Sequence, residues 1–152
     1  MDPHADPPLA LRSLPSWLLN AAAREATRVV TDALTGDGLR RHHYTVMLTL
    51  AEGGPASQAD IGRRLSMDRK NMAGVVAALE GAGYVARETP SSDTRVKVVR
   101  LTPAGKRTLG RLTRRIQAAQ EELLAPLDDA ERVELQRLLA KLDTARRTGS
   151  AT

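Results

Sequence analysis

Asp93 and Arg95 stand two residues apart in the stretch Thr89-Pro90-Ser91-Ser92-Asp93-Thr94-Arg95. Its prolyl, seryl and aspartyl residues suit a turn. An arginine beside a turn carries a permanent charge on a planar fork of donors. That group suits the narrow minor groove of DNA, where negative potential is concentrated. Asp93 can bond an arginine and hold the tip in shape. The charge around the pair is one-sided. Residues 37–107 carry 12 Lys/Arg and 7 Asp/Glu, which accounts for the whole net charge of +5; the rest of the chain is balanced at 11 and 11. A local basic excess is the electrostatic footprint of phosphate binding. A solvated charged face would give the same count, so charge alone does not decide.

Other chemistries find no support. The chain has no cysteine, which excludes disulfides, thiolate metal sites, cysteine nucleophiles and thiol-based oxidant sensing. His42 and His43 are adjacent, so on a helix they diverge by about 100° and do not share a metal readily. His4 lies in a Pro-rich start. No metal and no cofactor are expected. No nucleophile elbow, zinc-hydrolase spacing or phosphate-binding glycine loop is present, and the chain is not read as an enzyme. No apolar run approaches the roughly 18 residues that would cross a bilayer. The beginning, with Asp2, Asp6 and three prolines, lacks the basic and apolar stretches of a signal peptide. The expectation is a cytoplasmic protein with no membrane partner.

These residues need a scaffold, and apolar spacing supplies its outline. Residues 1–14 are Pro-rich and read as disordered at their start. Pro15 to Leu34 reads as a helix opening at a proline and ending at Gly36-Asp37-Gly38. Arg41 to Glu52 reads as a second, with Tyr44, Met47, Leu48 and Ala51 on one face, broken by Gly53-Gly54-Pro55. Ser57, with Asp60 three residues on, can cap a short third helix. After the turn Ser66-Met67-Asp68, Asp68 can cap a fourth, from Arg69 to about Ala82, with Met72, Val75, Val76 and Leu79 at helical spacing. The period then changes. Tyr84 to Arg87 and Val96 to Leu101 suit two strands of a hairpin with a polar, basic tip. Thr102-Pro103 opens a long helix with Leu109, Leu112, Ile116, Ala119 and Leu123, ended by Pro126. Asp128 or Asp129 caps a last helix carrying Val133, Leu135, Leu138, Leu139 and Leu142.

The fold class expected is therefore mainly α with a small β-hairpin wing. A short helix, a turn and a second helix can place the second in the DNA major groove, and the hairpin can reach the adjacent minor groove. From Leu39 to Leu109 the chain resembles the MarR family of winged helix-turn-helix regulators. The matching pieces are Leu48-Thr49-Leu50-Ala51-Glu52, Ser57-Gln58-Ala59-Asp60-Ile61-Gly62, Met67-Asp68-Arg69, Leu79-Glu80 and Gly83-Tyr84-Val85. The wing signature Asp93-Thr94-Arg95 and then Leu101-Thr102-Pro103-Ala104-Gly105 follow.

The resemblance implies a winged helix-turn-helix lobe over residues 37–102. A tail and dimerisation helix (1–36) and dimerisation helices (103–152) would flank it in one intertwined structural domain. It implies a homodimer, a palindromic double-stranded DNA operator and a repressor's role. Asp93 and Arg95 would be the wing pair, with Arg87 and Lys97 as basic residues of the wing. Arg69, Lys70 and Asn71 would be the exposed start of the recognition helix, and Ser57 and Gln58 backbone contacts at the start of the helix before it. Gly74 departs from the family, where a long polar residue is frequent. A small aromatic or phenolic effector is implied, with Trp17, His42, His43 and Met47 as candidate liners, although Trp17 and Tyr44 also suit a core. The alternatives are a ligand-independent or metal-responsive regulator of the same fold, and a protein-interaction module that does not read DNA.

Overall fold

The computed structural model describes residues 8–89 and 97–149, with side chains as far as Ala145. The wing residues Asp93, Arg95 and Val96 lie outside the described residues. In chain order the elements are α1 (Leu9–Arg12), α2 (Pro15–Leu34), a 3-10 turn (Thr35–Asp37), α3 (Arg41–Gly53), β1 (Ala56–Ser57), α4 (Gln58–Leu65), α5 (Arg69–Gly81), β2 (Val85–Glu88), β3 (Val98–Leu101), α6 (Pro103–Leu123) and α7 (Asp129–Gly149). The class is mainly α with a small antiparallel sheet, as expected.

The boundaries follow from local chemistry. A helix leaves its first N–H groups without intrahelical partners, and a short polar side chain just before it can accept from them. Ser57 Oγ accepts from the Asp60 N–H at 3.1 Å, Asp68 Oδ1 from the Asn71 N–H at 2.9 Å, and Thr102 Oγ1 from the Gly105 N–H at 3.0 Å. At α7 the cap is Asp128. It accepts from the Glu131 N–H while its own N–H donates to the Glu131 carboxylate, both at 2.9 Å. The α4–α5 turn closes with Ser66 in the left-handed region, at φ 51°.

Two elements were not anticipated. Leu9–Arg12 forms a short helix within the Pro-rich stretch, and Ala56–Ser57 forms a strand directly before α4. Two residues are too few to show a period of two. Their strand exists because β3 offers it a partner: Ala56 pairs with Val99 and Ser57 with Val98. On its other side β3 pairs with β2, Val85 opposite Leu101 and Glu88 opposite Val98, so the sheet order is β1-β3-β2.

The core sits where α3, α4, α5 and the sheet meet. Val46, Met47, Leu50, Ile61, Met72, Val76, Leu79, Val85, Val99 and Leu109 are buried together. Tyr44 packs against this cluster, and its hydroxyl lies 3.3 Å from Thr113 Oγ1. Met47 is fully buried there, its side chain filling the lobe's own interior. α2 packs along α6, and each contributes a buried leucine, Leu34 and Leu112. The turn after α2 is tied to α6 by charge: Asp37 accepts from Arg115 at 2.6 Å and also from Arg111.

Candidate nucleic-acid interface

The helix-turn-helix is built by α4 and α5. Ile61 on one and Met72, Val76 and Leu79 on the other are buried, so their remaining faces are set against solvent in fixed orientation. Asp68 fixes how α5 begins. Besides capping the Asn71 N–H, it accepts from the Asn71 side-chain amide. The bond to the Asn71 N–H leads the contacts that hold the Asp68 carboxyl below its ordinary pKa, because an acceptor of backbone N–H bonds is stabilised as the carboxylate. Asp60 is lowered too, first by the Ser57 hydroxyl, which donates to it at 2.6 Å.

The candidate DNA residues thereby take distinct places. Arg69 and Lys70 are exposed on the first turn of α5 and have no ion pair among the described residues. Asn71, beside them, has its amide engaged by Asp68. Ser57 is committed to the start of α4, and Gln58 is half-buried next to it. On the sheet, Arg87 lies 3.5 Å from the Glu80 carboxylate at the end of α5, and Lys97 is exposed just before β3. Asp93 and Arg95 belong to the connection between β2 and β3, outside the described residues.

An open groove of about 920 Å³ runs between the start of α3 and α5, and Arg40, Arg41, His42, His43, Lys70 and Asn71 are among its liners. His42 and His43 are thus brought beside α5. Trp17 is not at this groove; it lies half-buried on α2. Sequence reasoning passed over Arg40 and Arg41, although two adjacent arginines opening a helix were a visible signal. In the sequence Gly105 stands out only as part of the motif Leu101-Thr102-Pro103-Ala104-Gly105. A Cβ there would lie 2.0 Å from the Tyr84 carbonyl oxygen, so glycine is what lets α6 begin hard against the wing. Among the described residues no group of three or more His, Cys, Asp or Glu side chains could hold a metal ion. Nor is any helix long and apolar enough to cross a membrane.

The model of the MarR family matches residues 39–97, the segment from just before α3 to just before β3. A putative transcriptional regulatory protein for the hcr operon of Thauera aromatica is 30% identical over 80% of this chain and 72% of its own. An HTH-type transcriptional repressor of Mycobacterium tuberculosis is 31% identical over 74% of this chain and 81% of its own. Among solved structures, CouR from Rhodococcus jostii bound to p-coumaroyl-CoA superposes with a TM-score of 0.75, at 25% identity, over 89% of this chain and 95% of that one. With the family match falling on the lobe just described and the likeness extending over most of the chain, the protein belongs to the MarR family of DNA-binding transcriptional regulators.

Proposed function

We propose that the protein is a homodimeric repressor that binds a palindromic operator and releases it when a small aromatic or phenolic ligand binds. The observation that carries the DNA side is the start of α5. Arg69 and Lys70, two exposed cations with no ion pair among the described residues, stand on a turn held by the Asp68 cap. In this reading α5 enters the major groove, with Arg69, Lys70 and Asn71 nearest the base edges. Ser57 and Gln58 lie by the phosphates, Arg87 and Lys97 support the wing, and Arg95, positioned by Asp93, reaches the minor groove. Residues 37–102 act as the reading lobe, while 1–36 and 103–152 join the two subunits. The protein works in the cytoplasm, where its operator is.

The repressor's role is supported by the mycobacterial relative's name, and the aromatic ligand by the p-coumaroyl-CoA held by the Rhodococcus protein. His42 and His43, at the open groove, are candidate ligand contacts together with Trp17 and Met47. No catalytic role is proposed.

The test is a set of binding isotherms on a duplex selected by the protein from a random pool, across a salt series. Each phosphate neutralised contributes about 0.9 to the slope of log affinity against log salt, so a steep negative slope is expected. Arg95→Ala should weaken binding about tenfold or more, the scale of one specific contact. Lys70→Ala and Asn71→Ala should also change which sequence is preferred. A slope near zero with no preference over random DNA would leave a protein-interaction module as the better reading.

A further inference from the structure

Resting on that DNA-binding reading, we propose that Arg40 and Arg41 grip the sugar–phosphate backbone of the duplex that α5 enters, so that a large share of the affinity comes from the start of α3. Three observations carry this.

The first is the shape of α5 itself. Beyond Lys70 and Asn71, its wall of the groove is lined by Gly74, Val75 and Ala78, none of them polar. A Cβ placed on Gly74 would meet nothing within 4 Å. Beyond its first turn this wall presents little that can read a base edge, and a groove this bare admits the bulk of a backbone strand. Base contacts specify, whereas phosphate contacts position and hold. A recognition helix with few readers therefore needs holding contacts elsewhere.

The second is the charge on the opposite wall. Arg40 and Arg41 are exposed, line the groove and have no ion pair among the described residues. Several other arginines are engaged within the subunit, Arg28 by Glu25 and Asp32, Arg63 by Asp60, Arg100 by Glu88 and Arg137 by Glu134. Arg24, Arg64, Arg107 and Arg114 also have no ion pair among the described residues, but they do not line this groove. With Lys70 across the groove, cations on both walls face a gap that a strand of phosphates would neutralise; the Asp68 carboxylate also lines it, but is committed to capping α5.

The third is rigidity. Gly38, at φ 65°, turns the chain into α3, and the Arg40 N–H donates to His43 Nδ1 at 2.9 Å. One turn further on, Val46, Met47 and Leu50 are buried in the core. The two arginines thus stand on an anchored helix start, and little ordering is needed when they meet DNA.

The experiment uses the full chain and two duplexes, one selected by the protein from a random pool and one scrambled. In Arg40→Gln/Arg41→Gln the salt slope should fall by about 1 per residue. Affinity for both duplexes should drop together, about tenfold or more, while the ratio between them stays as in the parent. Arg24→Gln, on α2 and away from the groove, should bind like the parent. Thermal unfolding of the double variant checks that it is folded. Phosphate-ethylation interference on the parent gives an independent readout: ethylated phosphates flanking the major-groove contacts should block binding of the parent and lose that effect in the double variant. Unchanged slope and affinity, or a changed sequence preference at unchanged slope, overturns the proposal while leaving a DNA-binding protein. A parent that binds neither duplex overturns the reading beneath it as well.

Discussion

His43 shows how much one side chain can carry. It sits at the third position of α3 and accepts the Arg40 N–H through Nδ1, which it can do only as a neutral ring with its proton on Nε2. Burial is the largest cause of its lowered pKa, followed by the charges of Arg40 and His42. The folded protein therefore takes up fewer protons at this site than the unfolded chain. The associated stability is complete above the ordinary histidine pKa of about 6.5, and it is lost as pH falls below that value through the folded-state pKa. His43→Ala should cost about 1 kcal/mol at pH 7.5, the usual worth of such a cap. His43→Gln should retain the cap, since its amide oxygen can accept, and remove the pH dependence. Urea unfolding of the parent and both variants at pH 7.5 and 5.5 checks this; a glutamine variant that loses as much stability as the parent on acidification would refute it. The caps themselves were legible, because Ser57, Asp68 and Thr102 are of capping type at the right offset from an apolar stripe. That Asn71 spends its amide on Asp68 was not, since either partner could equally have faced solvent.

At the scale of an element, two glycines inside helices have opposite meanings. In a helix interior glycine is less favourable than alanine by up to about 1 kcal/mol. Gly74, with open space where its Cβ would be, should therefore gain about 0.5–1 kcal/mol on Gly74→Ala. Gly105 should do the reverse. Its Cβ would strike the Tyr84 carbonyl oxygen, which also accepts from the Thr102 N–H at 3.0 Å. Relieving the clash would pull α6 from the wing, and Gly105→Ala should cost at least about 2 kcal/mol. Thermal or urea unfolding of the two variants decides, and the same sign for both would contradict the packing described. From sequence each is simply a glycine within a helical stripe. The difference lies in what crosses the helix, as with β1, which exists only because β3 lies alongside it.

At the scale of the molecule, the exposed apolar residues fall at the two ends of the chain. Leu9, Leu14, Leu18 and Leu19 on one side of the sequence and Val133, Leu138, Leu139 and Leu142 on the other are all substantially exposed, from 42% to 82%. None of residues 129–145 is buried, although Arg132 ties the start of α7 to Glu121 of α6. Isolated exposed leucines are ordinary, but a recurring set on long helices is characteristic of an association surface. A leucine fully covered contributes about 1.5–3 kcal/mol, so a second copy covering this set would hold firmly. We expect a dimer in sedimentation at micromolar concentration, and Leu139→Glu/Leu142→Glu should shift it to monomer or to aggregate. A folded, monodisperse parent monomer would count against the homodimer.

Composition and spacing alone determined that the chain has no thiol chemistry, where its long helices begin, and that two strands with a polar, basic connection follow the helix capped by Asp68. These are properties of neighbours along the chain: a cap needs a side chain a few residues from an N–H, and an apolar stripe repeats with the helix's own period. Only the tertiary structure decided that Met47 belongs to the core, and that Asp37 bridges to Arg111 and Arg115 some seventy residues away. It also decided that Arg40 and Arg41 share a groove with Lys70. Such pairings depend on how helices cross, and no periodicity in one segment encodes which face of another it will meet.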